Sequence, residues 1–123
     1  MPVIKAPEVA THSLPHAQFT SLATPSRGAR ETSVWRVSLA AGGEPARHSV
    51  TREEIFVVLS GRARVRWDDT AHEAGPGDAI VVPAHQSFAL DCAGSEPVEL
   101  LCCFPVGGQA QLGDQLFTPP WAE

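Results

Sequence analysis

The sequence predicts an all-β domain, and three observations carry that prediction. Eleven prolines and ten glycines punctuate 123 residues, so no stretch has room for a long helix. The runs left between them are short and either alternate apolar with polar residues or cluster β-branched ones, the patterns of half-buried and fully buried strands. About seven such runs follow one another at spacings of roughly ten residues with turn residues between them, as in a β-sandwich or small barrel. A chain of this length with 43% hydrophobic residues builds one core and one domain.

Taken in order, residues 1–31 carry Pro2, Pro7, Pro15 and Pro25 with no sustained period. They read as an extended N-terminal arm on the domain surface, with one short strand around Ala17 to Leu22. Thr32 to Leu39 sets Val34, Arg36 and Ser38 on one face and Trp35, Val37 and Leu39 on the other, a half-buried strand. Glu54 to Leu59 is a buried strand closed by Ser60 and Gly61. Arg62, Arg64 and Arg66 then alternate with Ala63, Val65 and Trp67, and Asp68-Asp69 turns the chain into a hairpin. Further strands are expected over Ala79–Val82, Ser87–Cys92 and Val98–Phe104, which places the barrel at 32–106. The tail, 107–123, is polar and Gly-rich until Phe117, Pro119, Pro120 and Trp121, large groups that dock on the barrel or on a partner subunit.

Composition excludes several classes of partner. Nine basic against fourteen acidic residues give a net charge of −5, which argues against nucleic acid or anionic lipid and for a small molecule or a protein. No apolar run approaches the roughly 20 residues of a membrane span, and the first ten residues lack a signal-peptide pattern, so a cytoplasmic location is expected. Cys92, Cys102 and Cys103 fit no disulfide or zinc framework and read as reduced thiols; the adjacent pair faces opposite ways, so one of the two points inward. Trp35 and Trp67 read as packing residues, and the arginine stripe as a wet sheet face that pairs with acidic groups of a partner in a homodimer.

At Gly42 the chain reads GGEPARHSVTREEIFVVLSG, and later GDAIVVPAHQSF. The first stretch resembles the first motif of the cupins, a glycine, a His-x-His, a glutamate and a closing glycine, with Gly42, His48, Glu54 and Gly61 in register and Val50 in the second His position. The second resembles the other cupin motif, with Gly77 and Pro83 in place, His85 in a Gly position and Phe88 in a His position. The resemblance, to small single-domain bacterial cupins, implies a double-stranded β-helix, a jelly-roll-like barrel. It leaves the activity open, because cupins include metal-dependent dioxygenases, isomerases, decarboxylases and polyketide cyclases, metal-free epimerases and binding modules.

By the same resemblance, metal-binding cupins use three His and one Glu. Here His48 and Glu54 remain while Val50 and Phe88 have no lone pair, so no cofactor is expected; the alternative is a weakly held Zn, Ni, Mn or Fe whose ligands are completed by His85 or water. The two substitutions leave an apolar small-molecule pocket of Val50, Phe56, Phe88 and Leu90. Arg36 and Arg47 lie near the mouth in the family arrangement, positioned for an anionic substrate or simply solvated. His48 and Glu54 are expected within hydrogen-bond reach of each other. That pair reads either as a satisfied polar pair in a packed core or as a general acid/base for enolisation, epimerisation, dehydration or cyclisation of a small carbonyl compound. Glu53 faces the opposite way, toward solvent. Three functions stay open: an isomerase, cyclase or lyase, a non-catalytic metabolite or protein binder, and a metal-dependent enzyme with a reduced ligand set.

Overall fold

The computed structural model describes residues 1–123. In chain order its strands are β1 (His12–Leu14), β2 (Ala17–Ala23), β3 (Thr32–Leu39), β4 (Ser49–Val50), β5 (Glu54–Ser60) and β6 (Ala63–Trp67). The second half adds β7 (Thr70–Ala74), β8 (Ala79–Val82), β9 (Ala89–Cys92), β10 (Val98–Pro105), β11 (Ala110–Leu112) and β12 (Gln115–Phe117). Two short 3-10 turns, Pro25–Arg27 and Pro120–Ala122, are the helical elements, and no helix is long and apolar enough to cross a membrane.

One wall of the barrel is a six-stranded antiparallel sheet in the order β1-β2-β3-β10-β5-β8. Its spine is β10, where Val98, Leu100, Cys102 and Phe104 are buried and the residues between them are half-buried, as period-2 alternation requires. The other wall consists of two three-stranded sheets, β12-β11-β4 and β7-β6-β9. A single antiparallel bridge joins them, in which His48 and Phe88 exchange backbone hydrogen bonds of 2.9 and 2.8 Å. Residues paired in this way share a face, so the seam between the two small sheets carries the His48 and Phe88 side chains together on the inside. This is the expected double-stranded β-helix, and both walls contribute to one core of 18 buried hydrophobic residues.

The strands expected at Thr32–Leu39 and Ala79–Val82 have those bounds, and the Asp68-Asp69 turn closes the β6–β7 hairpin. Gly61 shows why its position is glycine: φ is 79°, and a Cβ there would stand 2.7 Å from the Pro97 carbonyl oxygen. The N-terminal segment differs from the expected surface arm. β1 and β2 form a hairpin, and β2 pairs with β3 from Ala17↔Leu39 to Ala23↔Val34. The strand expected around Ala17 to Leu22 is β2, and what the sequence did not show is its place in the sheet: on its buried face stands a polar residue, Ser21, whose hydroxyl donates to the Trp121 carbonyl at 2.7 Å. Strands β1, β4, β11 and β12 are two or three residues long, too short to show a period.

The tail is fastened across the barrel by serine hydroxyls. Besides Ser21, Ser33 donates to the Ala122 carbonyl at 2.8 Å and Ser26 to the Glu123 carbonyl at 2.7 Å, while the Trp121 ring stacks on Phe19 at 3.7 Å. Two of the three arginines in the stripe have acidic partners within this chain. Arg62 meets Glu73 at 3.2 Å across the β6–β7 hairpin, and Arg64 meets Asp91 across β6–β9.

Candidate functional site

Between the two walls lies a cavity of about 250 Å³ that opens to solvent. Of the residues predicted to face a ligand, Val50, Phe56, Phe88 and Leu90 line it, together with His48 and Glu54. The seam supplies His48, Val50 and Phe88; β5 supplies Glu54 and Phe56; and β10 supplies Cys102 and Phe104. Sixteen of the twenty lining residues are hydrophobic, so the few polar groups stand in a carbon-walled space. Phe88, only 1% exposed, anchors the arrangement, with the His48 ring 4.5 Å away and the Phe56 ring 6.3 Å away between centroids.

His48 and Glu54 face one cavity, but no hydrogen bond or ion pair joins them, which corrects the expectation of a mutually satisfied pair. The backbone takes the imidazole instead: Nδ1 lies 3.0 Å from the Ala46 carbonyl oxygen. A carbonyl only accepts, so Nδ1 carries the hydrogen and Nε2 of the neutral ring keeps its lone pair. Burial pushes the His48 pKa down, partly opposed by that backbone hydrogen bond, so the ring is neutral at pH 7.

Glu54 is 6% exposed and has no counter-charge, and burial alone pushes its pKa up to about 8. At neutral pH it is mostly a carboxylic acid, a hydrogen-bond donor. No fully enclosed side-chain polar atom of the molecule lacks a partner, so the unpartnered oxygens of Glu54 open onto the cavity. Cys102 lies beside it, and burial together with the Glu54 charge holds its thiol well above the ordinary range, which keeps it protonated. The inward thiol of the adjacent cysteine pair is therefore Cys102, while Cys103 is half-buried.

Two predicted site residues lie elsewhere. Arg36 is on the outer face of β3, opposite in pleat to Trp35 and Val37, and is exposed with its guanidinium 4.0 Å from Glu99. His85 is exposed at a turn, where φ of 68° explains why the related motif has glycine there; its backbone N–H donates to the Val50 carbonyl at 2.7 Å. It does not line the cavity, so it is no third ligand for an ion beside His48 and Glu54. With carbon at Val50 and Phe88, and with no three His, Cys, Asp or Glu side chains converging, the residues present do not fit the divalent ion that the resemblance associates with this position. Several lining residues were not foreseen as such, among them Phe19, Phe117 and Trp121. For Trp121 the signal was an aromatic side chain at the end of an otherwise polar tail.

Comparison with known proteins agrees with this architecture. An uncharacterized protein of Methanocaldococcus jannaschii is 34% identical over 53 residues, which are 43% of this chain and 42% of that protein. Among solved structures, the polyketide cyclase RemF from Streptomyces resistomycificus superposes with a TM-score of 0.70 at 19% identity, covering 94% of this chain and 79% of its own. KdgF from a Halomonas species gives 0.66 at 20% identity over 78% of this chain and 85% of its own. A cupin superfamily protein from Desulfitobacterium hafniense gives 0.60 at 22% identity over 77% and 82%. Residues 35–104, the stretch that holds both sequence motifs and both sides of the His48–Phe88 seam, match the cupin domain family, and the chain belongs to it.

Proposed function

We propose that the cavity binds a small carbonyl compound and that His48 and Glu54 move a proton on it, making the protein an isomerase, cyclase or lyase that works without a metal-dependent step. One observation carries the reading: a free imidazole lone pair and an unpartnered carboxylic acid face the same carbon-lined cavity. Neither the Nε2 of His48 nor the carboxyl of Glu54 helps the fold by being there without a partner, since burying a polar atom in that state costs free energy. Their protonation states are complementary, with the histidine a base and the glutamate an acid at the same pH. Nε2 removes the proton next to the carbonyl, and the Glu54 hydroxyl donates a hydrogen bond to the oxygen on which negative charge develops. Phe56, Phe88 and Phe104 give the enolate carbon-lined surroundings. That the fold also serves a polyketide cyclase is compatible with this class of chemistry.

The test is hydrogen–deuterium exchange next to the carbonyl of cyclohexanone and acetophenone in D₂O, followed by NMR across pH. The exchange rate should rise as His48 becomes neutral, at a pH below 6.5, and fall again above about 8 as Glu54 ionises. His48→Ala should lower it by roughly 10²–10⁴-fold, the usual worth of a positioned general base. Glu54→Gln keeps an N–H donor and should erase the alkaline limb. Exchange that is insensitive to His48→Ala would leave the cavity as a binding site without proton transfer.

A further inference from the structure

The cavity discriminates by what its wall lacks as much as by what it holds. Neither arginine nor lysine is among the lining residues, and Arg36 points away from them. A carboxylate or phosphate drawn inside would lose its hydration and meet no cation. A sugar would bring more hydroxyl groups than the cavity has polar partners. What the wall does supply is aromatic surface, from Trp35, Phe56, Phe88, Phe104, Phe117 and Trp121. Rings of this kind pack edge-on or offset against another ring, as Phe56 and Phe88 already do with each other. The size sets an upper limit as well. A cavity of about 150 Å³ accommodates benzene, so 250 Å³ takes one ring with substituents or two fused rings, and a third ring would have to stand outside the mouth.

From this geometry we infer that the cavity takes an uncharged aryl ketone of one or two fused rings, its carbonyl oxygen toward Glu54 and its acidic C–H toward Nε2 of His48. The assignment rests on the acid–base reading of the same site, yet it is a statement about binding and stands or falls apart from turnover. The titratable groups that face the cavity are His48, Glu54 and Cys102. Of these, Glu54 lines the cavity with side-chain oxygens that have no partner in the protein, so it is the group able to meet a ketone oxygen. Removing that group removes the partner of the ketone oxygen, so affinity for a ketone should fall while affinity for a bare hydrocarbon stays.

Titration calorimetry of the whole protein with 1-tetralone, naphthalene and 1-naphthoate separates the possibilities. At pH 7 tetralone should bind at least tenfold more tightly than naphthalene, the value of a hydrogen bond to the carbonyl in a dry site, and at least tenfold more tightly than naphthoate, which is charged. Glu54→Leu should weaken tetralone about tenfold and leave naphthalene unchanged. Glu54→Gln, which keeps an N–H donor, should hold tetralone binding within about threefold of the parent, and the ranking of the three ligands on the unaltered protein answers the question even if a variant does not fold. Naphthoate binding as well as tetralone, tetralone binding no better than naphthalene, or none of the three binding would each overturn the assignment. If tetralone binds as stated but its α-hydrogens do not exchange faster than in His48→Ala, the ligand class holds and proton transfer falls. If it does not bind while cyclohexanone exchange still depends on His48, the ligand class falls and proton transfer holds.

Discussion

Two carboxyl groups of this barrel are buried to nearly the same extent, Glu54 at 6% exposure and Asp91 at 8%, and they live in opposite circumstances. Asp91, on the outer face of β9, is gripped by Arg64 through two hydrogen bonds, Nε to Oδ1 at 3.1 Å and Nη2 to Oδ2 at 2.6 Å. This is the bidentate geometry that compensates a carboxylate for lost water. Glu54, on the inner face of β5, has no such partner. Burial alone does not assign a role. A charge satisfied by a neighbour is architecture, whereas one left open toward a cavity is available to a ligand.

The largest consequence is in how stability responds to pH. Glu54 ionises near 4.5 when unfolded and near 8 when folded, so between those values the folded state holds a proton the unfolded state has lost. The stabilising contribution is complete below 4.5 and declines through the window, until above 8 roughly 5 kcal/mol has gone. Urea unfolding at pH 5 and pH 8 should show this loss in the parent, and Glu54→Gln should recover about 3 kcal/mol of the difference between the two pH values. His48 acts with the opposite sign: burial disfavours its charged form, so its contribution is lost as pH falls below 6.5, and His48→Ala should flatten that limb. If His48→Ala, which removes the opposing contribution, is level in stability from pH 5 to 8, Glu54 is solvated or paired in solution.

Second in size is the effect of restoring donors around Glu54. Val50→His together with Phe88→His would place three imidazoles and the carboxylate about one point, and the variant should gain at least a hundredfold in affinity for Ni or Zn. Both positions are packed core, so the variant should also unfold at lower urea than the parent in the absence of metal. Elemental analysis after dialysis and a thermal shift against added metal read the two effects. About one ion per chain in the unaltered protein, lost on His48→Ala, would show that two protein ligands and water suffice to hold a metal, and the acid–base reading of the cavity would give way to a metal-dependent one. On the outer face the comparison predicts a different signature. Asp91→Asn deprives Arg64 of its partner and should lower the urea midpoint by a similar amount at every pH from 6 to 9, with no change in exchange of bound ketones.

How legible all this was in the sequence depended on range. Alternation along β3, β6 and β10 is written locally, and the glycine and proline spacings of both motifs located the barrel's turns. The side chains meeting at the seam were also readable, because their spacings matched a known pattern. What the sequence did not reveal were the relations between distant segments. β2 hides its buried face behind Ser21, whose partner is the carbonyl of Trp121, one hundred residues away. The Nδ1 hydrogen bond of His48 goes to a backbone carbonyl only two residues back, but it depends on a loop conformation that residue types do not specify. Arg36 and His85 were drawn toward the site by their place in the family pattern, and pleat and positive φ respectively send them outward.

Arg36 supplies the smallest expected effect and the sharpest control. Its nearest carboxylate, Glu99, is 4.0 Å away, and the two side chains are 50% and 32% exposed. At that distance and exposure, Coulomb attraction is screened by water and opposed by the entropy of holding two long side chains still. Arg36→Ala should therefore change unfolding free energy by no more than about 0.5 kcal/mol. Because the side chain leaves β3 on the face opposite Trp35 and Val37, the substitution should also leave ketone binding and exchange as they were, at low and high salt alike. An anionic ligand whose affinity fell tenfold or more in Arg36→Ala, measured by calorimetry at low ionic strength, would show that an electrostatic contact reaches the cavity from outside. The division between a paired outer surface and an uncharged interior would then have to be redrawn at β3.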